Sequence, residues 1–179
     1  YFTSDRTGDR QIWKVPAAGG ESQQVTKQGG FVGVESVDGA YIYYAKADSP
    51  GVFRVPTLGG EEVQIVKQPR VGDWTNWGLN QEGIYYLNSS TRPAAVEFYN
   101  FATAKTTRLK NLDRIRSQIS SLTVSPDGKW LLYTATDELV QPSGFPTTTA
   151  ALAGARNLLV QALCPGRIVG HLGLVNDGV

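Results

Sequence analysis

The sequence predicts an all-β fold made of repeated units, and three observations lead to this prediction. The segment Ile12–Pro16 with its Gly19-Gly20 turn returns about forty residues later as Val52–Pro56 with Gly59-Gly60. The repeated segments are short β-branched and aromatic runs, which are typical of strands rather than helices. Acidic-glycine turns precede further aromatic strands at Asp38-Gly39, Glu82-Gly83 and Asp127-Gly128. A period near forty residues indicates the four-stranded antiparallel blades of a β-propeller.

These repeats divide residues 1–138 into about four blades, two complete and two partial. Blade one is partial and covers 1–27, blade two covers 31–67, blade three 73–110, and the partial blade four 119–138. The acidic-glycine turns are expected to adopt the positive φ of a tight hairpin, because glycine lacks a Cβ. A propeller closes by pairing its first and last blades. Because the first and last blades of this chain are partial, we expect it to be a fragment of a larger propeller. Its open edges favour self-association.

Residues 139–179 form a tail without the repeat, and their composition differs sharply from that of the blades. Only Arg156, Arg167 and Asp177 are charged there, and the acidic-glycine turns and tyrosine pairs are missing. The spacing of the apolar residues predicts a helix over 149–163. A disordered end and a reading-frame error in the source sequence are the alternatives.

The balance of charge argues against two classes of partner. Seventeen basic and sixteen acidic residues give a net charge of +1. The lysines and arginines are spread singly and do not form the basic patch that nucleic-acid binding requires, so we expect no nucleic-acid partner. No apolar run approaches the ~20 residues of a membrane span, so we expect no membrane partner. No phosphate-binding glycine loop occurs, and the sequence predicts no cofactor.

No catalytic residue and no metal ligand is predicted. His171 is the only histidine, so a Ser-His-Asp triad or a two-histidine metal site lacks its parts. Cys164 has only Arg167 nearby to lower its pKa. The adjacent carboxylates Glu61-Glu62 and Asp137-Glu138 point to opposite faces of a strand, which favours solvated hairpin ends over a paired acid and base.

One segment stands out as a candidate binding surface, at the start of blade three. Asp73, Trp74 and Asn76 lie in a loop that enters an innermost strand. In a propeller, such loops line one mouth of the central channel, where ligands and partners often bind. Trp77 points to the opposite face and is predicted to pack between blades. Glu35, on an inner strand, is a second candidate for the channel wall. The tyrosines of the repeats are also predicted to pack between blades: Tyr43, Tyr44, Tyr85, Tyr86 and Tyr133.

The motif residues resemble a known family. The segment Ser125–Tyr133 resembles the serine-proline-aspartate-glycine signature of the WD-like repeats in TolB and its relatives, and Thr3–Trp13 is similar to another part of that repeat. Val37 replaces the proline in blade two, and Asn80–Gly83 departs from the motif in blade three. The resemblance implies a propeller and, commonly, a non-catalytic binding module. Similar bacterial propellers are attached to winged-helix regulators, kinases or serine peptidases, and no active site transfers to this chain.

These observations predict a non-catalytic scaffold that binds a protein, a peptide or a small ligand as part of a larger bacterial protein, in the periplasm or the cytoplasm. The remaining blades of the parent propeller are further expected partners. One alternative is the substrate-gating propeller of a prolyl-oligopeptidase-like serine peptidase. Another is the sensor domain of a winged-helix regulator or a kinase.

Overall fold

Four antiparallel sheets follow one another along the chain, and each is a blade. The computed structural model describes residues 1–112, 119–136, 158–164 and 167–173, in which all regular structure is β-strand. In every sheet the strands lie in the order of the sequence. The first sheet has three strands and the second has four: β1 (Phe2–Thr7), β2 (Asp9–Lys14) and β3 (Gln23–Gln24), then β4 (Phe31–Glu35), β5 (Tyr41–Ala45), β6 (Val52–Pro56) and β7 (Val63–Val66).

The third and fourth sheets each have four strands. They are β8 (Trp77–Leu79), β9 (Gly83–Asn88), β10 (Ala95–Asn100) and β11 (Lys105–Asn111), then β12 (Ile119–Val124), β13 (Leu131–Thr136), β14 (Leu158–Cys164) and β15 (Arg167–Gly173). Among the described residues, no helix is long and apolar enough to cross a membrane.

Two strands of the tail continue the fourth sheet. Strand β14 pairs with β13, with Leu131 opposite Leu163, and β15 pairs with β14. The helix predicted over 149–163 therefore does not extend over residues 158–163, and residues 149–157 lie outside the described part of the chain. The physical reason is that the free edge of β13 offers a row of backbone partners that an apolar segment can pair with.

The repeated turns keep one hydrogen-bond pattern despite the change from proline to valine. In blade four, Ser125 Oγ donates to Asp127 Oδ1 at 2.6 Å and accepts a bond from the Trp130 N–H at 2.9 Å. In blade two, Ser36 bonds to Asp38 at 2.6 Å and to Tyr41 at 2.9 Å in the same way. Both turns are closed by a glycine with a φ near 70°. The serine and aspartate thus define the turn, and the intervening residue does not.

Blade three forms its turn differently, which corrects one expectation. Gly83 does not adopt a positive φ and is the first residue of β9. Asn80 closes the turn instead, because its Oδ1 accepts the N–H groups of Glu82 at 2.9 Å and Gly83 at 3.1 Å. A Cβ at Gly83 would lie 2.0 Å from the Tyr99 carbonyl oxygen. Glycine is needed here for close approach of two backbones, and not for its φ.

Three hydrophobic clusters join the blades, one at each junction. Successive strand residues point to opposite faces, so Tyr44 packs towards blade one, while Tyr43 packs towards blade three. Tyr86 likewise faces blade two and Tyr85 faces blade four. Tyr133 completes the cluster between blades three and four. The prediction that these tyrosines pack between blades is confirmed.

Candidate functional site

The loop between β7 and β8 is held at one end of the blades by the loops that follow β5 and β9. The Gly51 N–H donates to the Pro69 carbonyl at 2.7 Å, and Gln68 Nε2 donates to Ser90 Oγ at 2.9 Å. We call this end, where loops 46–51, 67–76 and 89–94 meet, the mouth. The predicted residues Asp73, Trp74 and Asn76 all lie there.

Asp73 and Asn76 anchor the mouth. The Asp73 side chain is buried, and its Oδ2 accepts bonds from Arg70 Nε at 3.0 Å and Ser89 Oγ at 2.9 Å. Asn76 is 1% exposed, and its carbonyl accepts the Leu87 N–H at 2.9 Å. Both residues tie the loop to β9 and the loop after it. Their side chains are therefore not on the surface that a partner would meet.

Of the three predicted residues, Trp74 is the one that reaches the surface. Its half-buried ring meets Phe31 edge to face, with centroids 5.2 Å apart and planes at 87°. The exposed Arg10 also contacts Phe31, with its guanidinium carbon 5.5 Å from the centre of the Phe31 ring. Arg10, Phe31 and Trp74 come from blade one, blade two and the loop into blade three, and we call them the aromatic row. The Trp74 indole Nε1 is buried and has no hydrogen-bond partner among the described residues.

Trp77 has the structural role that the sequence predicted. It is 5% exposed, lies in the cluster between blades two and three, and donates from Nε1 to the Trp74 carbonyl at 2.8 Å. This bond also fixes the backbone that carries the Trp74 ring.

Glu35 lies apart from the aromatic row. It ends β4, whereas Phe31 begins that strand, so the two are separated by four strand steps of ~3.3 Å. Glu35 is exposed, and its Oε1 accepts the Tyr1 hydroxyl at 3.1 Å. Burial, and then this bond, raise the pKa of Tyr1. The structure brings Asp73, Trp74 and Asn76 together and does not bring Glu35 to them.

A second concave site, which the sequence did not predict, lies between blades one and two. It is a cleft of about 590 Å³, lined by Gln24–Gln28 and Leu58–Glu62 over Tyr44 and Val55. We call it the inter-blade cleft.

Glu62 lies in the wall of the inter-blade cleft, and its side chain is only 18% exposed to solvent. It accepts the Tyr44 hydroxyl and forms an ion pair with Lys46 at 2.5 Å. Burial first, and then the bond to Glu62, raise the pKa of Tyr44. Glu61 is exposed, as predicted for a hairpin end, but Glu62 is not simply solvated. Comparison of the two repeats could have singled out Glu62, because it occupies the position of Ser22 in blade one.

The carboxylates that are shielded from solvent each have a partner. Besides Asp73 and Glu62, Glu97 is 9% exposed, accepts Asn88 Nδ2 at 3.1 Å and lies 3.6 Å from Arg108. Within the described ranges, no group of three or more histidine, cysteine, aspartate or glutamate residues could hold a metal ion.

Comparison with known proteins identifies the fold. No protein-family model matches the chain, and no curated protein matches its sequence. The structure is similar to that of a putative TolB from Agrobacterium tumefaciens, with 13% identity and a TM-score of 0.58 over 88% of this chain and 53% of that one. It is also similar to a chain of the nidogen/laminin complex, with 16% identity and a TM-score of 0.54 over 87% of this chain and 55% of that one.

A prolyl endopeptidase structure is similar as well, with 15% identity and a TM-score of 0.52 over 95% of this chain and 25% of that one. The chain spans about half the length of the TolB and nidogen/laminin chains. Together with the four sheets and the clusters between them, these similarities identify the chain as a β-propeller fragment with a TolB-like fold.

Proposed function

We propose that this propeller fragment is a non-catalytic scaffold that receives a protein or peptide partner on the aromatic row. The observation that carries the proposal is the alignment of Arg10, Phe31 and Trp74 across three successive blades. Aromatic and arginine side chains dominate the energetics of protein interfaces, because they combine a large apolar area with a polar group.

The chemistry of the aromatic row defines the partner. An apolar or aromatic side chain of the partner would cover the rings of Phe31 and Trp74. Arg10, which is exposed, would add a cation at the edge. The rigid loop favours binding, since its anchors Asp73 and Asn76 are already ordered before the partner arrives.

The state of the acidic residues supports a binding role rather than catalysis. A general acid or base needs a carboxylate that can exchange a proton with a substrate. Asp73, Glu62 and Glu97 are instead each engaged by a cationic side chain and a hydrogen-bond donor. We expect no turnover when the chain is assayed with peptide, ester and glycoside substrates. Robust turnover that co-purifies with the chain would refute the non-catalytic reading.

The proposal is tested by selecting phage-displayed peptides on the immobilised chain and measuring the affinity of the selected peptides for variants. Trp74→Ala and Phe31→Ala should each weaken binding about tenfold or more, as expected for hot-spot residues. Trp130→Ala is the matched control, because Trp130 is an exposed tryptophan in a turn of blade four. Selected peptides that bind all three variants as tightly as the parent would contradict the proposal.

A second candidate role is the substrate-gating propeller of a prolyl-oligopeptidase-like peptidase, because the fold resembles a quarter of a prolyl endopeptidase chain. A sensor domain of a winged-helix regulator or a kinase is the third. The gene on both sides of this segment discriminates between them. A Gly-x-Ser-x-Gly nucleophile elbow favours the peptidase, and a winged helix or kinase motifs favour the sensor.

A further inference from the structure

Each junction between blades packs one face of a blade against the opposite face of the next. We call the face that meets the following blade the forward face, and the face that meets the preceding blade the rear face. In blade two, Tyr43 lies on the forward face, in the cluster with blade three, and Val55 lies on the rear face, in the cluster with blade one. Their side chains are 2% and 3% exposed. The two kinds of face are therefore complementary apolar surfaces.

Blade four exposes its forward face. Trp130 and Leu132 occupy the positions of Tyr41 and Tyr43, because the Trp130 and Tyr41 N–H groups donate to the serine of the same repeated turn. Alternate residues of a strand lie on one face. Leu132 is 43% exposed, whereas Tyr43 is 2% exposed, and Trp130 is 42% exposed. Two large apolar side chains thus lie uncovered on the face that blade two packs against its neighbour.

Blade one exposes the opposite kind of face. Val15 occupies the position of Val55 in the repeated segment, but it is 43% exposed, whereas Val55 is 3% exposed. Phe2 occupies the position of Tyr44 in the strand register and is half-buried, whereas Tyr44 has no exposed surface. The rear face of blade one is therefore the same kind of surface that blade two packs against blade one.

The junction between blades two and three shows how the two exposed faces fit each other. Tyr41 is at the position of Trp130, and Tyr99, which lies opposite Ile84 in the ladder, is at the position of Val15. Tyr41 and Tyr99 pack into one cluster at that junction. An exposed forward face and an exposed rear face on the same chain therefore supply both sides of an interface that the chain already forms between its own blades.

The cation on the rear face of blade one does not prevent such a contact. The Arg6 guanidinium carbon lies 4.5 Å from the centre of the Trp13 ring. In blade two, the Lys46 ammonium lies 4.7 Å from the centre of the Phe53 ring in the same way. Phe53 is nevertheless part of the cluster between blades one and two. A cation over this ring is therefore compatible with a packed junction.

We propose that copies of this chain associate head to tail, with the forward face of blade four of one copy on the rear face of blade one of the next. Trp130 and Leu132 of the first copy pack against Phe2 and Val15 of the second. Association removes these apolar side chains from water, which is its driving force. The interface is heterologous, so a pair of copies still has one forward face and one rear face for further association. The aromatic row takes no part in it.

The test uses the full chain and sedimentation equilibrium. The mass of the parent should rise above that of the monomer as the concentration increases. Leu132→Arg, on the forward face, and Val15→Arg, on the rear face, should each weaken association tenfold or more. A mixture of the two variants should form a dimer of one copy of each with the parent's affinity, and no larger species. Only the intact rear face of Leu132→Arg and the intact forward face of Val15→Arg can meet in that mixture.

Two variants serve as matched controls. Leu109→Arg and Val63→Arg also change an exposed leucine and an exposed valine, but they lie in the outermost strands of blades three and two. Both should associate like the parent. If circular dichroism shows that an arginine variant is unfolded, threonine replaces the arginine at that position, because threonine suits a strand, and it should weaken association about fivefold.

Four results would each overturn the proposal. The first is a parent that remains a monomer up to its limit of solubility. The second is association of Leu132→Arg or Val15→Arg as strong as the parent's, which is also the result expected if free strand edges hold the copies together. The third is a mixture of the two variants that stays monomeric. The fourth is a loss of association in the control variants equal to that in the face variants.

Discussion

Replacing Gly83 by alanine tests the close contact between β9 and β10. The new Cβ would lie 2.0 Å from the Tyr99 carbonyl oxygen, and 2.6 Å and 2.9 Å from two carbons of the Phe98 ring. Even close C–H···O contacts keep carbon and oxygen ~3.3 Å apart, so the two strands must separate by about 1 Å. We expect overpacking to lower the free energy of unfolding by ~1–3 kcal/mol, and each ladder hydrogen bond that is lost to lower it by ~1 kcal/mol. With about two ladder bonds lost, the free energy of unfolding should therefore fall by about 3–5 kcal/mol.

The matched control is Gly39→Ala, at the equivalent turn of blade two. There the nearest atom to a new Cβ is Glu35 Oε1 at 3.7 Å, which is an ordinary contact. Only the φ of +70° opposes the substitution. That conformation costs a non-glycine residue ~1–2 kcal/mol, and the lower entropy of the unfolded chain offsets ~0.4–1 kcal/mol of it. The net loss should be about 1 kcal/mol.

Equilibrium unfolding in urea, followed by tryptophan fluorescence, separates the two cases. With a slope of about 2 kcal/mol per molar urea, the midpoint should fall by roughly 2 M for Gly83→Ala and by about 0.5 M for Gly39→Ala. Equal midpoints for the two variants would refute the reasoning, because the difference rests entirely on the steric contact.

Three further predictions concern stability. Val37→Pro should raise the free energy of unfolding by ~0.4–1 kcal/mol, since Pro126 occupies the equivalent turn of blade four with the same hydrogen bonds; a lower thermal midpoint would contradict this. Ile42→Ala, at a side chain with no exposed surface, should cost ~2–5 kcal/mol in urea unfolding, and a loss below ~1 kcal/mol would show that the cluster between blades one and two is loosely packed. Burial, chiefly, raises the pKa of Tyr86 to about 12. The stability that its protonated hydroxyl contributes to the folded state is therefore fully present below pH 10 and is lost as the pH rises towards 12. Tyr86→Phe should therefore show a shallower loss of stability over that interval, by up to ~1.4 kcal/mol per pH unit, and slopes identical to the parent's would refute the assignment.

The repeated turns made the blades predictable, because serine, aspartate and glycine dictate a local geometry wherever they occur together. The alternation of Tyr43 and Tyr44 likewise predicted inter-blade packing from strand geometry alone. The Gly83 backbone contact could not be predicted, since it depends on Tyr99 in the next strand.

The candidate site was predicted in part. Trp74 lies in the loop that enters an inner strand, at the end of the blades where three loops meet, and its role in binding stays a prediction. Asp73 was expected on the surface, but Ser89, sixteen residues later, binds it and it is buried. Glu62 was expected in solvent, but Lys46 and Tyr44 hold it in the cleft wall. Such pairings between distant residues are properties of the folded chain, and the local pattern does not contain them.

The neighbouring tyrosines of β5 and β9 have a consequence for how this architecture tolerates insertions. Each pair sends one ring to the preceding blade and one to the following blade. A one-residue insertion within either strand would exchange the two faces and damage two junctions at once. An insertion in a connecting loop leaves both junctions intact, and the spacing between equivalent tyrosines indeed varies, from Tyr44 to Tyr86 and from Tyr86 to Tyr133. Length variation among related chains should therefore accumulate in the loops at the ends of the blades, while the second strand of each blade keeps a fixed register.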